Sequence, residues 1–246
     1  MEKDLTQGKP AQVLLRFALP VIGGNLFQLF YTLADSIIVG KTLDVGALAA
    51  VGATGNIIYF VFCFVNGFTG GSGICLGQRC GAKDEAGMRR SVAVAVILNA
   101  ACAVLLTVPC CVFARDVLRW MKIPEDIAGE AYDYMFVVLL GTGATVFYNL
   151  VSNLLRALGD SKTPLYALVL SSLLNIVLDI VFIVPLRMGV AGAAWATVLS
   201  QFISGVVSLW VGLKKYPVLR LRRADFTGLK ESMRLQLKTG FPMGFQ

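Results

Sequence analysis

Leu173-Leu-Asn-Ile-Val-Leu-Asp-Ile-Val-Phe-Ile-Val-Pro185 decides the class of fold. It lies in an apolar run, 165–186, that matches the roughly 20 residues a helix needs to cross the hydrocarbon core of a bilayer. Five further runs of this kind stand at 14–39, 47–74, 91–113, 132–155 and 190–213. Hydrophobic residues fill 57% of the 246 positions and charged residues only 15%, far from the balance of a soluble domain. The expected fold is all-α, a polytopic membrane protein whose six transmembrane helices make one lobe.

The net charge of +7 does not point to nucleic acid, because the basic residues are sorted by loop. Alternating the loops puts seventeen Lys and Arg on one side, among them Arg79, Lys83, Arg89, Arg90 and the run Lys214 to Arg223. Five remain on the other: Lys41, Arg115, Arg119, Lys122 and Arg187. The positive-inside rule then predicts a multi-pass plasma-membrane protein with both termini cytoplasmic. The first run is too long for a signal-peptide core and has no small-residue cleavage site behind it, so it is expected to be retained.

Two carboxylates inside the apolar runs mark the candidate site. Asp179 stands in the quoted stretch, and Asp35 in Phe30-Tyr-Thr-Leu-Ala-Asp-Ser-Ile-Ile-Val-Gly40. A charge at membrane depth costs about 2.5 to 3.5 kcal/mol on insertion scales, so it persists mainly where it faces a cavity or a partner. Asp35 lies five residues before Gly40 and Asp179 six before Pro185, which puts both about 7 to 9 Å inside the outer boundary. Asn175 is one turn deeper on the face of Asp179, and Tyr31 has the same relation to Asp35. The sixth run brings Thr197 to a depth of about 10 Å.

This layer of two carboxylates, an amide, a hydroxyl and a phenol suits a hard cation, Na⁺ or H⁺, and not a soft metal. Low dielectric disfavours a charged carboxylate, more so beside a second one, so the pair is expected to change occupancy with pH. No cofactor beyond the ion is expected. Asp179, Asn175 and Thr197 are the natural ligands for Na⁺. Pro20 can hinge the first helix, since proline removes a backbone hydrogen bond.

Other segments have plainer readings. Asn66-Gly-Phe-Thr-Gly-Gly-Ser-Gly-Ile-Cys-Leu-Gly77 lacks the Gly-Lys-Ser/Thr ending of a phosphate loop and predicts close helix packing through small residues. Arg115 to Lys122 reads as a short interfacial helix with Trp120 at headgroup level, followed by a helix start at Pro124-Glu-Asp126. The six cysteines show no metal-ligand spacing and there is no histidine, so they read as small apolar side chains.

The lobe is expected to occupy 1–213 and a basic cytoplasmic linker 214–236. In that linker Phe226, Leu229 and Met233, continued by Leu237, suit a helix lying in the interface. Leu237-Lys-Thr-Gly-Phe-Pro242 then repeats the pattern of Leu15-Arg-Phe-Ala-Leu-Pro20, so 237–246 is read as the truncated start of a second, parallel six-helix repeat.

Ala34-Asp-Ser-Ile-Ile-Val-Gly40 with Ala47-Leu-Ala-Ala-Val-Gly52, Leu155-Arg-Ala-Leu-Gly-Asp-Ser-Lys-Thr-Pro164, and Asn175-Ile-Val-Leu-Asp179 with Gly189-Val-Ala-Gly-Ala-Ala194 together resemble the multidrug and toxic compound extrusion (MATE) transporters. The resemblance spans essentially the whole chain. It implies the amino-terminal half of a fold in which two six-helix lobes surround a central cavity. It also implies an antiporter that exports drugs or other amphiphilic organic compounds, often cations, against inward H⁺ or Na⁺. By that resemblance Asp35, Asn175, Asp179 and Thr197 match the first lobe's cation site, Tyr31 sits beside it, and Pro20 matches the proline at which the first helix bends. The partners implied are a small organic substrate, the bilayer and a second lobe.

Other readings were weighed. A flippase for lipid-linked saccharides would want a row of intramembrane cations, which the runs lack. An intramembrane aspartyl protease would want Gly-x-Gly-Asp inside a run. The nearest string, Ala157-Leu-Gly-Asp160, lacks the first Gly and lies in a loop, so no enzyme is expected. A non-transporting truncated fragment is the remaining alternative.

Overall fold

The computed structural model describes residues 10–245, with the side chains of 10–17, 20, 25 and 31 outside the described set. Among the described residues there are nine α-helices and no strand. They are α1 (Pro10–Thr42), α2 (Val45–Gly81), α3 (Glu85–Val112), the short α4 (Ala114–Trp120), α5 (Glu125–Leu140), α6 (Thr142–Ala157), α7 (Lys162–Ile183), α8 (Gly189–Lys215) and α9 (Lys230–Gly244). Single 3-10 turns at Pro217–Leu219 and Arg223–Phe226 lead from α8 to α9. Five helices, α1, α2, α3, α7 and α8, are long and apolar enough to cross a membrane, and α5 with α6 passes as one bent span.

Side chains fix where the helices begin. Asp44 Oδ1 accepts from the Ala47 N–H at 2.8 Å and starts α2. Asp84 Oδ1 accepts from the Gly87 N–H at 2.9 Å and starts α3, while its other oxygen pairs with Arg79 at 3.1 Å. Both satisfy donors that a helix N-terminus otherwise leaves unpaired. The short helix expected from Arg115 is α4, with Trp120 78% exposed as a headgroup-level aromatic would be. α5 begins directly after Pro124.

The fourth span departs from the straight helix that 132–155 suggests. α5 and α6 meet at an angle of 43°. A Cβ on Gly141 would run into Val198 on α8, so only glycine lets α8 approach the break. The pair Gly141 and Gly143 around Thr142 gives the bend a local cause.

Two apolar clusters hold the bundle together. One, around Leu76, Met88, Leu150, Leu155 and Leu219, joins α2, α3, α6 and the first 3-10 turn at the basic end. The other, around Ile58, Leu118, Met135 and Leu139, lies toward the opposite end. Lipid is as apolar as leucine, so helices in a bilayer associate through packing and interhelical hydrogen bonds. The polar links are Asn99 Nδ2 to Ser72 Oγ and Asn153 Nδ2 to Thr69 Oγ1, both 3.0 Å, and Thr145 Oγ1 to Gln201 Oε1 at 2.8 Å. Large apolar side chains such as Phe30, Leu105 and Trp210 face outward.

The segment after α8 is expected to suit a helix in the interface through Phe226, Leu229, Met233 and Leu237; α9 begins at Lys230 and takes in the last two of these. α9 runs as one helix against the middle of α2, with Ser232, Gln236 and Gly240 on its buried face and Leu235, Leu237 and Phe241 exposed. A Cβ on Gly71 would strike the Gly240 backbone, and one on Gly67 the Met243 carbonyl. Gln236 Nε2 donates to Ser91 O on α3 at 2.7 Å. The glycine-rich segment of α2 thus packs helix on helix.

Candidate cation site

α7 brings Asn175 and Asp179 onto one face, four residues apart, and both are fully buried. That face meets α8 at Thr197 and α1 at Asp35. The Asp35 and Asp179 carboxyl groups face each other within hydrogen-bonding reach. No donor faces Asp35 Oδ1 or Asp179 Oδ1, and both atoms are buried. The hydroxyls near Asp35 are spent on their own helix: Ser36 Oγ donates to Thr32 O at 2.9 Å and Thr32 Oγ1 to Gln28 O at 3.0 Å.

Asn175 has two useful orientations. In one, Nδ2 donates to Thr197 Oγ1 at 3.3 Å and leaves its oxygen toward Asp179. With the amide rotated, Nδ2 donates to Asp179 Oδ2 at 3.0 Å while Oδ1 accepts from the Thr197 N–H at 3.2 Å and its hydroxyl at 3.3 Å. The rotated form satisfies both neighbours, so it is the better assignment when nothing else is bound.

Four of the expected site residues, Asp35, Asn175, Asp179 and Thr197, therefore meet at one point on three helices. The side chains of Tyr31 and Pro20 lie outside the described residues, so their expected places beside Asp35 and at a bend of α1 stand as expectations. Among the described residues no three acidic or thiol side chains gather. The donors are thus a carboxyl pair, an amide and a hydroxyl, all hard oxygens or their carriers. Asp35 Oδ1 and Asp179 Oδ1 face no donor, while Asp179 Oδ2 can accept from the rotated Asn175 amide, and two facing carboxylates repel each other when both are charged.

Spacing in the apolar runs did not reveal a second carboxylate cluster at the basic end. Asp160 Oδ2 accepts from Lys215 Nζ at 2.6 Å, Thr163 Oγ1 at 2.7 Å and the Tyr216 hydroxyl at 3.2 Å. Its Oδ1 accepts from the N–H groups of Thr163 and Lys162, at 3.0 and 3.2 Å. Burial pushes the Asp160 carboxyl up, but the Lys215 hydrogen bond, the Thr163 N–H and hydroxyl, and the Lys215 charge outweigh it. The group is held below the usual carboxylate range. The signal was present in Asp160-Ser-Lys-Thr-Pro164, an acid two and three residues before the first free N–H groups of a helix.

The MatE family model matches residues 20–181. A probable multidrug resistance protein of Bacillus subtilis (strain 168), YpnP, is 33% identical over 243 residues, which is 99% of this chain and 54% of that protein. An outward-facing structure of a multidrug resistance MATE transporter of the MOP superfamily is 30% identical and superposes with a TM-score of 0.90 over 98% of this chain and 53% of its own. An inward-facing one is 31% identical, with a TM-score of 0.80 over 88% and 49%. The chain spans about half the length of the curated relatives it matches. A six-span helical lobe, the facing acids of α1 and α7, and a family model covering more than half the sequence lead to one assignment: this chain belongs to the MatE family of membrane transporters.

Proposed function

We propose that this chain is the amino-terminal lobe of a cation-coupled antiporter that exports drugs or other amphiphilic organic compounds, working with a second six-helix lobe. The observation that carries the reading is the pairing of Asp35 on α1 with Asp179 on α7, each with one buried oxygen that no donor faces. The coupling ion is H⁺ or Na⁺, a substrate of the exchange and not a resident metal. A proton shared by the pair removes the repulsion between two carboxylates and holds α1 against α7. For Na⁺, Asp35 and Asp179 supply the charge, with Asn175 and Thr197 supplying neutral oxygens. Rotation of the Asn175 amide exchanges an N–H for an oxygen toward Asp179, which lets one residue serve both the empty and the loaded site. An ion that binds the closed α1–α7 arrangement better than the parted one shifts the population toward it, and that difference in affinity is what couples the gradient to transport.

The seventeen-to-five distribution of basic residues supports both termini lying in the cytoplasm and the acid pair nearer the outer face. The test is efflux of a fluorescent organic cation by the two-lobed transporter carrying Asp35→Asn or Asp179→Asn. Each is expected to reduce ion-driven efflux to background with membrane levels of protein unchanged. Efflux at the unmodified rate in either variant would overturn the reading.

A further inference from the structure

A groove of about 430 Å³ runs between α3, α6 and α8, far from the acid pair. That volume is in the range of about 300 to 1,000 Å³ typical of ligand sites. Its lining is apolar except for Asn99, whose amide nitrogen is already spent on Ser72 Oγ and Ala95 O. On α3 the lining positions are Val92, Val96, Asn99, Ala100 and Ala103, and Arg89 lies three residues before Val92, one turn toward the basic end. From Val92 to Ala103 the helix rises about 16 Å, close to the roughly 15 Å of one leaflet's hydrocarbon depth. The groove therefore has the length and chemistry of a single acyl chain.

Its basic end is roofed by the segment after α8. Leu219 and Leu221 close the groove, and Arg220 stands between them. Arg89 Nη1 donates to Arg220 O at 3.1 Å, which holds the Arg89 side chain against the backbone of the roof, and Arg220 Nε donates to Leu213 O at 2.8 Å at the end of α8. Among the described residues the ion pairs are Arg79 with Asp84, Arg119 with Asp116 and Lys215 with Asp160; none neutralises Arg89 or Arg220. Guanidinium forks without carboxylate partners match a phosphate diester in charge and geometry. We propose that this groove binds one anionic glycerophospholipid from the leaflet on the basic side, an acyl chain between α3 and α8 and its phosphate on Arg89 and Arg220. The lipid would tie the 217–221 roof to α3, and through it the segment that leads into α9.

The experiment is native mass spectrometry of the 246-residue chain released from nanodiscs of equal phosphatidylglycerol and phosphatidylcholine. One phosphatidylglycerol per chain is expected to be retained preferentially. The Arg89→Gln/Arg220→Gln double variant changes only groups at the membrane surface, and should lower that preference by about tenfold or more. Ala100→Phe fills the groove from its lipid-exposed side and should release the lipid whatever its headgroup. Equal retention of the two lipids, a preference that survives the double variant, or displacement by glycerol 3-phosphate alone would overturn the proposal.

Discussion

Asp160 shows what a buried charge does when every lone pair is used. It gathers five donors at the junction of α6, α7 and α8, whereas Asp35 and Asp179 each keep an oxygen that no donor faces. The first arrangement stabilises; the second, on the proposed reading, is where a cation would bind. Asp160→Asn is expected to destabilise the chain by about 1.5 to 3 kcal/mol, the cost of hydrogen bonds to a charged group. Lys215→Met should cost less, because the lysine is half exposed. The carboxyl's folded value is depressed. The stability it contributes is therefore present above the unfolded value of about 3.9 and is lost as pH falls through the lower folded value. Thermal unfolding of wild type and Asp160→Asn in nanodiscs should converge in that acid range and differ at neutral pH. Identical stability at neutral pH would remove the network from the account. The acid pair was legible in the sequence because a carboxylate in an apolar run stands out and the i to i+4 spacing to Asn175 fixes its face. Asp160 was harder to read, because its partners Lys215 and Tyr216 lie more than fifty residues away and a loop carboxylate carries no such contrast.

The helices themselves were legible as runs of apolar residues, but their contacts were not. Apolar length sets where a span lies and leaves open whether it bends. Gly141 reads like any packing glycine until Val198 is found against it. For α9 the apolar residues did not show which face packs on the neighbouring helices. Small and polar residues allow close approach between helices in lipid, so Ser232, Gln236 and Gly240 face α2 and α3 while the leucines face outward. The contact at Gly71 and Gly240 can be tested directly. Gly71→Leu overpacks it, a change that costs about 1 to 3 kcal/mol, or roughly 5- to 150-fold in a local opening equilibrium. Hydrogen exchange of amides 236–244 should accelerate accordingly, with α7 unaffected. Unchanged protection of α9 would show that the helix is held elsewhere.

The lobe places its two carboxylate centres at opposite ends of the same helices. At the basic end, α7 and α8 are clamped by Asp160 and Lys215. Toward the other end, α7 and α8 meet at Asn175 and Thr197, and α1 joins them where Asp35 meets Asp179 and where Val39 packs with Ile183 and Ala193; nearer the basic end, Gly24 of α1 lies close to Leu165 and Leu168 of α7. α1 also carries a long exposed apolar face, including Leu29, Phe30 and Leu33. On the proposed reading, an ion at the Asp35–Asp179 contact would bias how α1 sits on α7 while the Asp160–Lys215 clamp keeps α7 and α8 together. The number of spans was legible from hydropathy. The closure of α1 onto α7 was not, since it depends on how three helices cross. The central claim is that Asp35 and Asp179 hold an exchangeable cation. Difference infrared spectroscopy of the chain in nanodiscs tests it most directly. A protonated-carboxyl signal should vanish as pH is raised or, if the site takes Na⁺, as Na⁺ is added at constant pH, and it should be missing in Asp35→Asn/Asp179→Asn. A spectrum in which no carboxyl responds to either ion, or in which the response persists in the double variant, would contradict it.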